Sequence, residues 1–418
     1  MNQYDQGKSA KPRGLFDSER TTLLDALRTT EESLREYGKE HRHWCVAFSG
    51  GKDSSATLTA VAYLVESGRV PRPESLTALY ADTRLELPNL QSAAAGMLAA
   101  VQARGWQTQV VLPLLDKRFY VMILGRGVPP SHSGFRWCTG AIKIDPMAEA
   151  MRAIRDRTGE KLLLITGMRL GESANRDRRI TLACSSKNGG ECGHGWYEQT
   201  TPAEVANVLS PLLHWRTCHV WDWLMLHGDH RAKPSHGFDC REVAQVYDAD
   251  NEGSENEILA RTGCLVCPVA SRDLALERTL RKPEWAYLAP LLRLRALYED
   301  LGKPHNRLQK VGETTASGRL SSRPMRLGPL LLDVREKALG TVLAIQAEIN
   351  EQALREGRPA VVLIDASEEQ RIRELIAARE WPQGWDGTEA RGGTADREVM
   401  RDGSVQAHLW GLEDAFSD

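Results

Sequence analysis

The string Ser49-Gly50-Gly51-Lys52-Asp53-Ser54 constrains this chain more than any other feature. It follows an apolar run, Trp44 to Phe48, and leads into a helical pattern from Ser54 to Ser67 that stops at Gly68. Strand, glycine turn and helix are the order an anion-binding loop needs. Gly50 and Gly51 let the backbone approach a phosphate with no Cβ in the way, and the first N–H groups of the helix present the positive end of its dipole. Ser49, Ser54 and Ser55 add hydroxyl donors, Lys52 a compact positive charge, and Asp53 a carboxylate for a divalent ion. The spacing of a Walker A loop is absent, so γ-phosphate transfer is not the expected reaction. The bland alternative is a tight turn after a strand.

Short apolar runs at Trp44 to Phe48, Leu76 to Tyr80, Gln109 to Leu112 and Leu162 to Thr166 read as buried strands. Helical patterns lie between them, at Ser54 to Ser67, Asn89 to Arg104 and Ile142 to Arg155. Strands separated by helices imply an α/β fold with a doubly wound, mostly parallel sheet. At 418 residues the chain exceeds one ordinary domain. It divides into a helical extension at 1–40, the sheet domain at 41–235, a cysteine-bearing segment with a basic connection at 236–330, a helical C-terminal region at 331–382 and a polar, mobile tail at 383–418.

Within these units, leucines at helical spacing mark an amphipathic helix over 18–36. Ser185 to Thr201 reads as a glycine-rich loop over the site. A long helix is expected from Leu332 to Arg355 with Gly357 as its stop, and a second from Ser367 with Ser367 and Gln370 as a capping box. Residues 302–326 carry Lys303, Arg307, Lys310, Arg319, Arg323 and Arg326 against one acid, Glu313, which suits either a grip on a polyanion or a solvated linker.

Hydrophobic residues at 41% and charged residues at 26% are ordinary for a soluble globular protein. The N-terminus lacks an apolar stretch of signal or anchor type, so a cytoplasmic protein with no membrane association is expected. A net charge of −2 decides nothing about nucleic acid, because basic residues can be gathered locally.

Three later strings join the glycine turn in an ordered set: Tyr80-Ala81-Asp82-Thr83-Arg84-Leu85-Glu86-Leu87-Pro88, then Gly167-Met168-Arg169-Leu170-Gly171-Glu172-Ser173-Ala174-Asn175-Arg176, then Pro211 to Trp215 with Val220 to Leu224. The set resembles the PP-loop ATP pyrophosphatases, and within them the phosphoadenosine phosphosulfate reductase branch, over residues 44–270. The resemblance implies that ATP is bound and AMP transferred to a substrate oxygen with release of pyrophosphate. It implies nucleotide contacts from residues 49–55 with Asp82, Thr83 and Gly167, and catalytic roles for Lys52, Asp53, Arg169, Glu172 and Arg176, with Mg²⁺ beside them. Arginines just after a strand end suit phosphates bidentately. Glu172 orients one of them or binds the metal; alternatively it pairs with Arg176 one turn on.

Eight cysteines in a chain with no export signal point to metal, redox chemistry or burial rather than to disulfides. The C-x-x-C pair Cys264 and Cys267, with Cys138 upstream, nominates three thiolate ligands, and spacing alone does not separate zinc from iron–sulfur. The family resemblance implies a 4Fe–4S cluster, with Cys138 placed before the Lys143 to Pro146 element. Cys240 is preferred as fourth ligand, because it enters the same segment as the pair. Cys45 reads as a buried hydrophobe and Cys218 as a helix-start residue. Cys184 and Cys192 are a sulfur-carrying thiol, a ligand, or neither.

The Arg261 to Pro268 segment, Arg326 to Leu330 and the long C-terminal helix resemble the DndC-like and SspD-like proteins of bacterial DNA phosphorothioation. This implies adenylation of a DNA phosphate oxygen, then sulfur transfer, with DNA, a cysteine desulfurase and other subunits of the phosphorothioation system as partners. A sulfonucleotide reductase shares loop and cluster but needs a redox thiol; Cys192, in a Glu-Cys-Gly string, lies mid-chain rather than in a tail. A tRNA thiolase and a non-catalytic ATP-binding scaffold are the remaining readings.

Overall fold

A computed structural model of the protein describes residues 22–132, 134–172, 177–178, 180, 194–198, 204–228, 235–247, 264–270, 272–315, 317–395 and 397–407. The sheet is built from β1 (His43–Phe48), β2 (Ser75–Ala81), β3 (Gln107–Val111), β4 (Leu162–Ile165), β5 (Trp196–Glu198) and β6 (Ala206–Ser210), in the spatial order β3-β2-β1-β4-β6-β5. All neighbouring pairs are parallel except β5 with β6. The doubly wound, mostly parallel sheet expected from the sequence is therefore present. The chain winds outward from β1 through β2 to β3, then returns to place β4 on the other side of β1. That reversal makes a crevice outside the carboxyl ends of β1 and β4, where open α/β sheets bind ligands.

The first strand is buried because its residues are apolar on both faces: Trp44, Val46 and Phe48 on one face are within 2% of full burial, Cys45 on the other is 1% exposed, and Trp44 aligns with Leu76 in one neighbouring strand and Leu163 in the other. The third strand differs from expectation. It starts two residues earlier and is an edge, with Val110 53% exposed.

The helices of the sheet domain are α1 (Leu23–Gly38), α2 (Lys52–Glu66), α3 (Pro88–Ala103), α4 (Asp145–Thr158), α5 (Thr217–Gly228) and α6 (Arg241–Val246). A capping box between Thr22 and Asp25 starts α1. Trp215 ties that helix down, donating its indole N–H to the Ala26 carbonyl at 3.2 Å and to Thr30 Oγ1 at 2.9 Å.

A second core is assembled from distant parts of the chain. Phe119 to Leu124, Leu265, Val266 and the helix α7 (Arg293–Leu301) pack with α8 (Leu332–Glu356) and α9 (Ala366–Ala377). Its pin is Arg335, which is fully buried. The guanidinium donates to the carbonyls of Leu330, Gly125 and Glu380 at 2.9, 3.1 and 2.8 Å and lies 4.1 Å from the Trp381 ring centroid. A Cβ on Gly127 would collide with that guanidinium, so the turn there needs glycine.

Several local expectations change. The cap of α9 is Asp365, boxed with Glu368, whereas Ser367 donates to the Asp365 carboxylate at 2.6 Å. Within the segment read as a loop over the site, Trp196–Glu198 is a strand, because an apolar Trp can pair at an edge with only two partners following it. The tail contributes Ala390–Arg391 to a small sheet with Arg307–Gln309 and Leu327–Leu330. Among the described residues no helix is long and apolar enough to cross a membrane.

Candidate active site

Gly50 has a φ of +73°, and a Cβ there would sit 2.8 Å from that of Ala94, so the turn between β1 and α2 requires glycine. Gly51 follows as the N-cap, and α2 begins at Lys52, two residues earlier than its apolar periodicity suggests. Lys52 and Asp53 thus occupy the first turn, where N–H groups without intrahelical partners and the helix dipole face the crevice. Ser54 closes the turn on itself: its hydroxyl accepts from the Ser49 N–H at 3.2 Å, lies 3.1 Å from Ser49 Oγ, and donates to the Gly51 carbonyl at 3.0 Å.

Opposite α2, the loop after β4 supplies Thr166, Gly167, Met168, Arg169 and Glu172. Arg169, only 3% exposed, donates from Nε to Asp53 Oδ1 at 2.7 Å and from Nη1 to the Trp215 carbonyl at 3.1 Å. Its Nη2 lies 3.5 Å from Glu172 Oε1, and Lys52 Nζ lies 3.0 Å from Asp53 Oδ2. Burial pulls the Asp53 carboxyl up, but Lys52 and Arg169 outweigh it and hold the group below the usual carboxylate range. Gly167 allows this approach, since a Cβ there would stand 3.0 Å from the Asp53 carbonyl and from Thr57 Oγ1.

Lys52, Asp53, Thr166, Gly167, Met168 and Glu172 line a cavity of about 660 Å³ that also takes in Ser49, Gly51, Ser54, Ala81, Met147 and Tyr247, with Arg169 buried behind Asp53. Tyr247 was not singled out by sequence. Its hydroxyl accepts from the Lys52 N–H at 3.2 Å and its ring lies 5.8 Å from Lys52 Nζ, but an aromatic residue almost two hundred positions away carries no sequence signal of that meeting.

Other expected residues fall elsewhere. Ser55 is fully buried in α2 and does not line the cavity. Asp82 lines a neighbouring cavity of about 210 Å³ with Arg84 and Glu86. Its carboxylate accepts from the Arg84 N–H at 2.9 Å, and Arg84 carries a φ of +63°. Thr83 is buried and donates to Glu86 Oε1 at 2.6 Å. Arg176, Cys184 and Cys192 lie outside the described residues.

Glu86 links this region to the cysteines. Burial raises its carboxyl above the usual range, and Lys143, whose charge acts on Glu86, is hydrogen-bonded to Cys264. Burial likewise pushes the Cys264 thiol up, in spite of Lys143. The Cys-Leu-Val-Cys turn is held by Leu265 N–H to the Leu85 carbonyl at 2.5 Å and Val266 N–H to Asp273 Oδ2 at 2.7 Å. Cys138 accepts from Ser131 Oγ at 3.2 Å and also neighbours Lys143.

Cys240 does not join them, contrary to expectation. It is fully buried in the core under the sheet, its sulfur 3.4 Å from Thr59 Oγ1 on α2, because the Gly237 to Cys240 segment passes beneath that helix. Among the described residues no group of three or more histidine, cysteine or acidic side chains is arranged to hold a metal ion. Among the described residues the donor set thus falls short of the four thiolates of a 4Fe–4S cluster, Cys184 and Cys192 lying outside them.

Comparison with known proteins bears on the sheet domain. Two uncharacterised proteins of Methanocaldococcus jannaschii are 23% identical over 61% of this chain and 24% identical over 54% of it. The chain spans only 41% of each of those relatives. Among solved structures, the phosphoadenylyl-sulfate reductase of Candida auris in a phosphate complex overlays 53% of this chain and 91% of its own, at 13% identity and a TM-score of 0.30. A tRNA thiolase of Methanococcus maripaludis with its 4Fe–4S cluster overlays 57% and 77%, at 14% identity and a TM-score of 0.34. Residues 43–230 match the family described as phosphoadenosine phosphosulfate reductase domain, so the stretch that builds the sheet and its crevice is similar to that domain.

Proposed function

We propose that the protein is a PP-loop ATP pyrophosphatase that adenylates a DNA backbone phosphate oxygen and replaces it with sulfur. The observation that carries the reading is the Lys52–Asp53–Arg169 arrangement at the start of α2, beside a glycine turn at the sheet's reversal point. There a triphosphate meets helix N–H groups, a lysine and an arginine. Lys52, Asp53, Arg169 and Glu172 sum to no net charge, so a triphosphate would enter with a cation. Both Asp53 oxygens are already engaged, and Mg²⁺ would be held mainly by phosphate oxygens and water, as is its habit.

In the proposed reaction a non-bridging oxygen of the DNA phosphate attacks the α-phosphorus of ATP, and pyrophosphate leaves. Lys52 and Arg169 stabilise the charge that develops on the leaving phosphates. A thiol reductant releases the persulfide sulfur of a cysteine desulfurase as hydrosulfide and leaves as a disulfide; the hydrosulfide then attacks the DNA phosphorus, forming the P–S bond as the bond to the adenylated oxygen breaks and AMP departs. Thiolate sulfur is nucleophilic near neutral pH, so no strong general base is needed. A 4Fe–4S cluster would draw on Cys138, Cys264 and Cys267 and needs a further donor; no step depends on it here. Iron and sulfide analysis after anaerobic purification tests its presence.

The test of function is pyrophosphate release from ATP with DNA, tRNA or adenylyl sulfate as acceptor. Stimulation by DNA alone, followed by phosphorothioate formation on adding desulfurase, cysteine and a thiol reductant, is expected. A sulfonucleotide reductase is the second reading, favoured by the family match over 43–230. Reductant-dependent sulfite release without pyrophosphate would establish it instead.

A further inference from the structure

A second large cavity, of about 650 Å³, lies away from the nucleotide crevice, between the cysteine turn and α7. One wall is Val266 and Pro268, which flank Cys267, together with Ser131, the residue whose hydroxyl donates to Cys138. The other wall is basic: Arg295 and Lys303 from α7 and its end, and Arg307 from the first strand of the small sheet. One carboxylate, that of Glu299, also lines it.

Neither arginine of this wall has an ion pair among those seen in the described residues, although Glu277 is near enough to Arg295 to feel its charge. Arg307 is partly buried and spends two donors on the carbonyls of Gly328 and Leu327, at 2.8 and 3.1 Å. Burial alone acts on its guanidinium, holding it below the usual arginine value with no acid to offset the cost. Arg295 donates Nη1 to the Ala270 carbonyl at 2.7 Å, while its Nη2 is buried without a hydrogen-bond partner. A half-buried guanidinium with no ion pair is stabilised by an anion placed beside it. Elsewhere in the 302–326 segment Lys310 pairs with Glu389 at 2.6 Å and Arg326 with Glu313 at 2.5 Å, Arg319 and Arg323 are exposed, and at the cavity itself Lys303 pairs with Asp300 at 2.9 Å. Arg295 and Arg307, both half-buried, are the guanidinium groups that this cavity offers to a phosphate.

We propose that this cavity is a phosphate subsite which docks the backbone of the nucleic-acid acceptor beside the cysteine turn. The identity of the strand rests on the acceptor reading above; the subsite itself rests on the arginines. Planar guanidinium groups suit a phosphodiester, and the cavity is wide enough for one nucleotide unit.

The test is fluorescence anisotropy of a labelled single-stranded oligodeoxynucleotide with the full chain, over a salt series around 0.1 M. The variants are Arg295→Gln with Lys303→Gln, the more disruptive Arg307→Gln, and the exposed control Lys337→Gln, each checked for an unchanged melting curve. The double variant is expected to weaken binding about ten-fold and to flatten the salt slope by about one to two. Lys337→Gln should change neither, and Lys52→Ala should lose ATP binding while keeping the oligonucleotide. Unchanged affinity and slope in a folded double variant overturn the proposal. So does loss of inorganic phosphate binding with oligonucleotide affinity intact, which assigns a small-anion pocket. Pyrophosphate release, measured separately, shows whether the adenylation reading fails independently.

Discussion

Arg169 reaches across the sheet's reversal point to donate to the Asp53 carboxylate at 2.7 Å, joining the loop after β4 to the first turn of α2. The pair holds both walls of the crevice in register. Because Arg169 is nearly fully buried, Asp53 is the counter-charge that makes its position tolerable.

Asp53→Asn removes that counter-charge. Pyrophosphate release is expected to fall by roughly 10²–10³, the scale of losing a preorganised electrostatic group. Stability should fall by about 3–5 kcal/mol, as when one partner of a buried pair is removed. The folded-state carboxyl is held low, so its stabilisation is fully present above the unfolded value of about 3.9 and is lost as pH falls through the folded value. Denaturant titrations should show a constant gap between wild type and variant from neutral pH down to about 4, narrowing only below.

Gly50→Ala places a Cβ against Ala94 at a positive φ. A loss of more than about 1 kcal/mol in stability is expected, together with weaker ATP binding, because the turn must shift to relieve the clash. Calorimetric titration with ATP and a melting curve check both; full ATP affinity in the variant would show that the turn does not hold the phosphates.

Arg335→Ala strips the second core of its pin and leaves the carbonyls of Gly125, Leu330 and Glu380 without their donor. At about 1 kcal/mol or more per abandoned carbonyl, at least about 3 kcal/mol should be lost in the denaturant midpoint. ATP binding to the residual folded protein should persist, since Arg335 does not line the nucleotide cavity.

Thiol reactivity separates the cysteines by environment. Burial pushes the Cys45 thiol up to about 12, and Cys240 is fully buried, whereas Cys218 is exposed. Iodoacetamide at mildly alkaline pH should label Cys218 in the native protein and leave Cys45 and Cys240 unmodified, as read by peptide mass spectrometry. Labelling of Cys240 at the rate of Cys218 would contradict its place in the core.

The sheet was legible because its period and punctuation agree: β1 and α2 are separated by two glycines, and α8 ends at Gly357 with a φ of +63°, as its stop signal implies. Lys52, Asp53, Arg169 and Glu172 were legible as a set of charged residues at strand ends, and they meet as ion pairs at the crevice wall. What escaped was set by tertiary packing. Tyr247 reaches the site from a short helix with no motif of its own. Cys240 shares its residue type with the cluster cysteines but is carried beneath α2 by the chain's path, which spacing does not encode. The shared core of residues 119–124 with α8 and α9 depends on contacts more than two hundred residues apart, beyond the reach of local periodicity.

A crystal of the protein with Mg²⁺ and α,β-methylene ATP, whose bond between the first two phosphates resists cleavage, addresses the site of chemistry itself. The expected density places those phosphates on the Ser49 to Ser54 turn, with Lys52 and Arg169 against them. A triphosphate bound elsewhere, with that turn empty, would contradict the assignment of the crevice as the place where ATP is cut.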